Sequence, residues 1–141
     1  MDEPLSPPSA HRRPGRVVAP GAGRHYRAPA FDAEFVADGD ETDGRYSLSV
    51  WTLAPGFGGV GEHTHDDEDD VFLVTEGTIT FVVDGVEHRC GPGTLVQATA
   101  GTRHDFRNDT DRPARMFNLF VPGEFESEMP AIVEWFRERS G

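Results

Sequence analysis

The chain contains no lysine: its 13 cations are all arginines, set against 25 Asp and Glu, and the formal net charge is -12. Each phosphate contact needs a local cation, so this deficit argues against nucleic acid and anionic membrane as partners. Cys90 is the single cysteine, which excludes an intramolecular disulfide. Apolar runs stop at about four or five residues, far short of the ~20 that a membrane span requires. The first residues offer no apolar stretch suited to a signal peptide. Hydrophobic residues make up only 36% of the chain, which leaves part of it outside any core. These absences point to a soluble, cytoplasmic, single-domain protein.

What is present divides into three parts. Residues 1–15 are rich in proline and poor in apolar side chains, and cannot offset their ordering entropy, so they are expected to be flexible. Residues 16–36 suggest loose strands at Arg16–Ala19 and His25–Phe31, and Asp38–Gly44 reads as a polar loop. From residue 45 short β-like runs alternate with turn signals. The expected strands are Tyr46–Leu53, Val60–His65, Val71–Thr75, Thr78–Asp84, Val86–Cys90, Thr94–Ala98, His104–Arg107 and Arg115–Val121. Asp84-Gly85, between two such runs, is a two-residue hairpin signal. Short strands at roughly ten-residue spacing, with no helical crossovers, predict an all-β antiparallel sandwich or barrel over 16–127. A helix is expected over 128–141, where Ile132, Trp135, Phe136 and Arg139 share a face.

Three histidines carry a usable spacing. His63 and His65 stand at i and i+2, and period-two alternation sends both imidazoles to one side of a sheet. If that side is the interior of a barrel, the two rings need a shared partner, for which a divalent metal ion is the usual one. If it faces solvent, they are surface histidines. Asp70 opens the next apolar run, and His104 opens a later one. Phe72 and Val74 share the parity of Asp70, and Phe106 that of His104. Asn118 interrupts an otherwise apolar last strand and can aim a hydrogen bond inward. Glu62 and Asp105 alternate outward.

These residues resemble the cupin superfamily. His63-Thr64-His65, four residues, Asp70, six residues and Gly77 resemble its first motif; Gly93, Thr99-Ala100-Gly101, His104 and Asn108 resemble the second. The run Arg112–Phe117 and the following Val121–Glu126 are similar to the quercetin dioxygenase-like branch. The resemblance covers about residues 45–126 and implies a jelly-roll β-barrel holding one divalent transition metal ion (Fe, Mn, Ni, Co, Cu or Zn) on His63, His65, Asp70 and His104. Thr99 stands where the family has proline. Asp70 stands where it has glutamate, which shortens the arm by roughly 1.5 Å. A shifted strand with Asp70 bound directly, a site of three histidines alone, and an altered metal preference all remain open.

The resemblance implies an enzyme of dioxygenase or redox-neutral cyclase, isomerase, decarboxylase or dehydratase chemistry, and 10 phenylalanines in so small a barrel suit a small aromatic or polyketide-like substrate. Phe72, Val74, Phe106 and Asn118 are the expected pocket residues, and Asp70, if not coordinated, is the candidate base. A non-catalytic cupin that binds a small molecule as sensor or carrier is the alternative. A homodimer is expected, with residues 16–36 or the sheet edges at its interface, because open sheet edges must be paired or covered.

Overall fold

The structure, a computed structural model, describes residues 14–140. The segment expected to be flexible therefore lies outside the described residues up to position 13. Nine strands follow in order: β1 Arg24–Ala28, β2 Phe31–Ala37, β3 Ser47–Leu53, β4 Asp69–Glu76, β5 Ile79–Val83, β6 Val86–Cys90, β7 Leu95–Ala98, β8 His104–Arg107 and β9 Ala114–Val121. A one-turn helix α1 (Gly39–Thr42) lies between β2 and β3, and α2 (Met129–Ser140) closes the chain.

All strand pairings are antiparallel, in a six-stranded sheet ordered β1-β2-β3-β9-β4-β7 and a three-stranded sheet ordered β6-β5-β8. Two facing sheets with these connections form the jelly roll. Alternation decides what each strand sends inward. β3 buries Ser47, Ser49, Trp51 and Leu53; β9 buries Ala114, Met116, Asn118 and Phe120; β4 buries Asp70, Phe72 and Val74. The core is aromatic: Phe72 and Phe106 lie 5.6 Å apart between ring centres, and Trp51 and Phe106 5.7 Å.

Two motif positions explain themselves physically. At Gly77 (φ 72°) a Cβ would come within 2.7 Å of the Pro113 carbonyl oxygen, so only glycine fits beside β9. Asn108 is fully buried, and its amide donates to the carbonyls of Leu53, Ala54 and Arg112, tying the loop after β8 to the end of β3. The Asp84-Gly85 hairpin forms with positive φ at both residues, the signature of a type I′ turn.

Four local expectations change. His25–Phe31 is not one strand but the hairpin β1/β2, because Pro29 cannot donate to a ladder and the chain turns there. Arg16–Ala19 forms no strand, and its Arg16 side chain instead donates to the Val36 carbonyl at 2.7 Å. Asp38–Gly44 holds α1: the Glu41 carboxylate accepts the Asp38 amide N–H at 2.9 Å, and Asp43 ends the turn in the left-handed region. Val60–His65 is not a strand either. Gly61 (φ 97°) breaks the run, and only the bridge His63↔His104 remains.

Candidate metal centre

His104 and Asp70 project from the first residues of strands in the two facing sheets, His104 at the head of β8 and Asp70 near the head of β4. His63 and His65 come from the glycine-broken stretch before β4. Backbone bonds hold that stretch in place: His63 and His104 exchange N–H···O bonds of 3.0 Å, and Gly101 N–H donates to the His65 carbonyl at 2.7 Å. Strand alternation was the wrong premise for the pair, yet both rings reach the same point. Ring centres of His63 and His104 are 4.3 Å apart, and those of His63 and His65 5.0 Å.

One donor atom from each of His63, His65, Asp70 and His104 lies within 4.8 Å of every other. Asp70 Oδ2 stands 3.0 Å from His104 Nε2 and 3.6 Å from His65 Nε2. Two donors bound at ~2.1 Å to one ion at angles between square and tetrahedral stand ~3.0–3.4 Å apart; the His104–Asp70 pair has that spacing and the His65–Asp70 pair is slightly wider. The imidazoles are also prepared for a shared cation. His63 Nδ1 donates to the Gly61 carbonyl at 2.8 Å and His104 Nδ1 to the Thr102 carbonyl at 2.9 Å, which turns each Nε2 toward the cluster. His65 Nε2 is buried with no hydrogen-bond partner among the described residues. Leaving such an atom unsatisfied costs about 1–3 kcal/mol, a cost that a bound cation removes. Three imidazoles and a carboxylate are the right donors for a divalent transition metal, and the group can hold one.

Asp70 reaches this position from a regular strand: β4 keeps unbroken register with β7 and β9 through residue 70. Burial pushes its carboxyl pKa up, but hydrogen bonding from His104 and Asn118, with the close His65 imidazole beside them, outweighs burial and holds it below the ordinary carboxylate value. For His104, burial pushes the pKa down, and the Asp70 and Thr102 acceptors more than offset this and raise it. Burial lowers that of His63.

The cluster opens into a cavity of about 370 Å³. Phe72, Phe106 and Asn118 line it; Val74 is buried in the core but is not part of the lining. Asn118 aims inward, with its amide bonded to Asp70 Oδ1 and to the Val71 carbonyl. Glu62 is exposed and paired with Arg103 at 3.3 Å, and Asp105 accepts the Val60 N–H at 3.0 Å. The far wall was not anticipated. It consists of Trp51 and Phe125 with Ile132, Trp135 and Phe136 of α2. The shared helix face was visible in the spacing, but nothing in one sequence says that this face covers the barrel mouth.

Comparison with known proteins agrees with this geometry. The family described as Cupin domain matches residues 49–121. Quercetin 2,3-dioxygenase of Bacillus subtilis (strain 168) is 32% identical over 64% of the chain. The chain spans only 26% of that relative's length. Among solved structures, KdgF from Halomonas sp. superposes with a TM-score of 0.70 at 17% identity, over 81% of this chain and 99% of that one, a likeness of fold alone. TT1209 from Thermus thermophilus gives 0.60 at 26% identity, over 69% and 88%. A sugar phosphate isomerase from Silicibacter pomeroyi gives 0.56 at 27% identity, over 65% and 59%.

Proposed function

The chain belongs to the cupin family, and from that premise we propose that it is a metal-dependent enzyme acting on a small aromatic or polyketide-like molecule. The observation that carries this reading is the buried His65 Nε2, without a hydrogen-bond partner among the described residues and set among donors that converge at the floor of an aromatic cavity. His63, His65, Asp70 and His104 hold the ion. Bound there, a divalent transition metal (Fe, Mn, Ni, Co, Cu or Zn) supplies Lewis-acid polarisation of a ligating oxygen and lowers its pKa. The protein does the rest. Phe72, Phe106 and Trp51 offer flat apolar walls to a ring, and Ile132, Trp135 and Phe136 keep water from it. A cavity of this size, lined mostly by apolar side chains with the histidine and carboxylate cluster at its floor, suits a planar molecule carrying oxygen atoms on one edge. Dioxygenase and redox-neutral outcomes both fit that arrangement.

The test is elemental analysis of protein purified without chelator or affinity metal, followed by aerobic incubation with quercetin, the molecule in the name of the Bacillus subtilis relative. About one equivalent of metal and loss of quercetin absorbance are expected. Metal-free protein overturns the reading. Tight binding without turnover, including of other planar chelators, favours the alternative of a carrier or sensor, which the aspartate at position 70 makes worth testing.

We place the protein in the cytoplasm as a homodimer. Among the described residues no helix is long and apolar enough to cross a membrane. On the outer face of the larger sheet, Val50 pairs with Phe117, Phe117 with Leu73, and Leu73 with Leu95, an apolar row running to the edge strand β7. Leu95 is 60% exposed, Phe117 42% and Leu73 38%. A second copy laid on this row by a two-fold axis covers both rows at once. Light scattering should give a dimer mass, and Phe117→Glu should halve it; a wild-type monomer rules the interface out.

A further inference from the structure

We propose that Asn118 is the positioning residue that lets an aspartate serve at the carboxylate corner of this centre, by gripping Asp70 Oδ1 so that Oδ2 is aimed at the three imidazoles. This rests on the metal-centre reading above and says what makes the short arm sufficient.

Asn118 sits in the middle of β9, in register with Ser49 of β3 and Phe72 of β4. It is buried, with Met116 and Phe120 as its inward neighbours on the strand. A primary amide in such surroundings is costly unless its protons are paired. Both go to the segment that carries the ligand: one to Asp70 Oδ1, the other to the Val71 carbonyl at 3.2 Å. As a donor, Asn118 thus faces Asp70, which leaves it no amide proton for a molecule in the cavity.

The terminal torsion of an aspartate is broad and roughly two-fold, so its two oxygens exchange unless something tells them apart. Asn118 tells them apart. With Oδ1 held by the amide, Oδ2 lies 3.0 Å from His104 Nε2 and 3.6 Å from His65 Nε2. The strand has not bulged inward to bring this about, because pairing on both sides of Asp70 is regular. The shorter side chain is served by the amide behind it. A glutamate on the same backbone would push its carboxylate ~1.5 Å further, into the space the imidazoles already occupy. It could draw back only if the Asn118 amide were gone. Asn118 and Asp70 therefore act as a matched pair, and their substitutions should not be additive.

The test is Co(II) binding to the chelator-stripped full-length protein, read by the visible d–d bands and by competition with a chromophoric chelator. Asn118→Leu removes both donors at similar volume. It should weaken Co(II) binding by about 10–100-fold, the usual cost of losing a group that orients a ligand, and change the d–d band shape. A folded Asn118→Leu protein with wild-type affinity and spectrum overturns the proposal. If that variant does not fold, Asp70→Glu and Asp70→Glu/Asn118→Ala decide. The double variant should bind Co(II) at least tenfold more tightly than Asp70→Glu alone, a rescue that loss of a merely structural hydrogen bond cannot produce. A double variant no better than Asp70→Glu overturns the proposal. Wild-type protein that takes up no Co(II) overturns the metal-centre reading and this proposal with it, whereas normal wild-type uptake with unaffected variants overturns only the role of Asn118.

Discussion

The floor of the cavity and its roof are built differently. The floor places Asp70 and Asn118 on the paired strands β4 and β9 and His104 on β8 of the facing sheet, with His104 and Asp70 buried and bonded to each other. The roof is the segment after β9 and one face of α2, where Ile132, Phe125 and Phe136 are only partly buried and Trp135 is 46% exposed. Precision belongs to the floor, since ladder hydrogen bonds fix each Cα and leave the side chain little freedom. The roof contributes shape and exclusion of water from residues that can shift. A floor defect should therefore abolish the centre, and a roof defect should only loosen what lies above it.

The largest effect should follow His104→Ala. It removes one metal donor and leaves the Asp70 carboxylate buried without its main partner. Breaking a buried pair in this way costs about 3–5 kcal/mol. We expect a clear drop in Tm by calorimetry together with loss of bound metal by elemental analysis. Asp70→Asn, run beside it, separates roles: lost metal supports a ligand, and retained metal with lost turnover supports a base. A His104→Ala protein with full metal occupancy would contradict the whole description of the floor.

A smaller effect is expected from Trp135→Ala. Metal content should be unchanged, because Trp135 touches none of the four donors. Aromatic contacts are worth about 0.5–1.5 kcal/mol, so affinity for a planar ligand should fall by up to ~10-fold. Isothermal titration with quercetin on the metal-loaded protein reads this directly. Reduced metal content in this variant would erase the distinction between floor and roof.

That distinction also governs what could be read from the sequence. The convergence of His63, His65, Asp70 and His104 into a group that could hold a metal was legible from their spacing in the two motifs. The hairpin at Asp84-Gly85 was legible because few dipeptides accept two positive φ values. The backbone carrying His63 and His65 is not the expected strand, since the i, i+2 spacing of two histidines says nothing of pairing and Gly61, at φ 97°, takes the run out of extended geometry. α1 was hidden because Gly39–Thr42 is polar throughout and its stability comes from the Glu41 cap rather than from an apolar stripe. The roof was half legible. Spacing gave the face of α2, but what it lies against depends on long-range contacts such as Phe136 with Phe31 and Phe57, at 5.1 and 5.7 Å.

The smallest expected effect concerns how the roof is fastened. Asp38 Oδ1 accepts the amide N–H groups of Phe125 and Glu126 at 3.0 and 3.1 Å, just before α2. Glu126 in turn takes Arg24 Nε at 2.8 Å and the Tyr26 hydroxyl at 2.6 Å, and Arg24 also reaches Glu41 at 2.7 Å. Burial pushes the Asp38 carboxyl up, but the backbone N–H donors outweigh it and hold the pKa below the ordinary value; for Glu41, burial is likewise outweighed by Arg24 and the Asp38 N–H. A carboxylate whose folded pKa is depressed contributes stability that is fully present above its unfolded pKa and is lost as pH falls through the folded one. The fastening should therefore hold steady at neutral pH and weaken below about pH 4. In a Trp51→Phe background, Trp135 fluorescence should change over that range before far-UV circular dichroism reports loss of the barrel. Asp38→Asn removes the titrating charge, so its fluorescence should vary less with acid. Superimposable acid curves for the two proteins would show that Asp38 does not hold the roof.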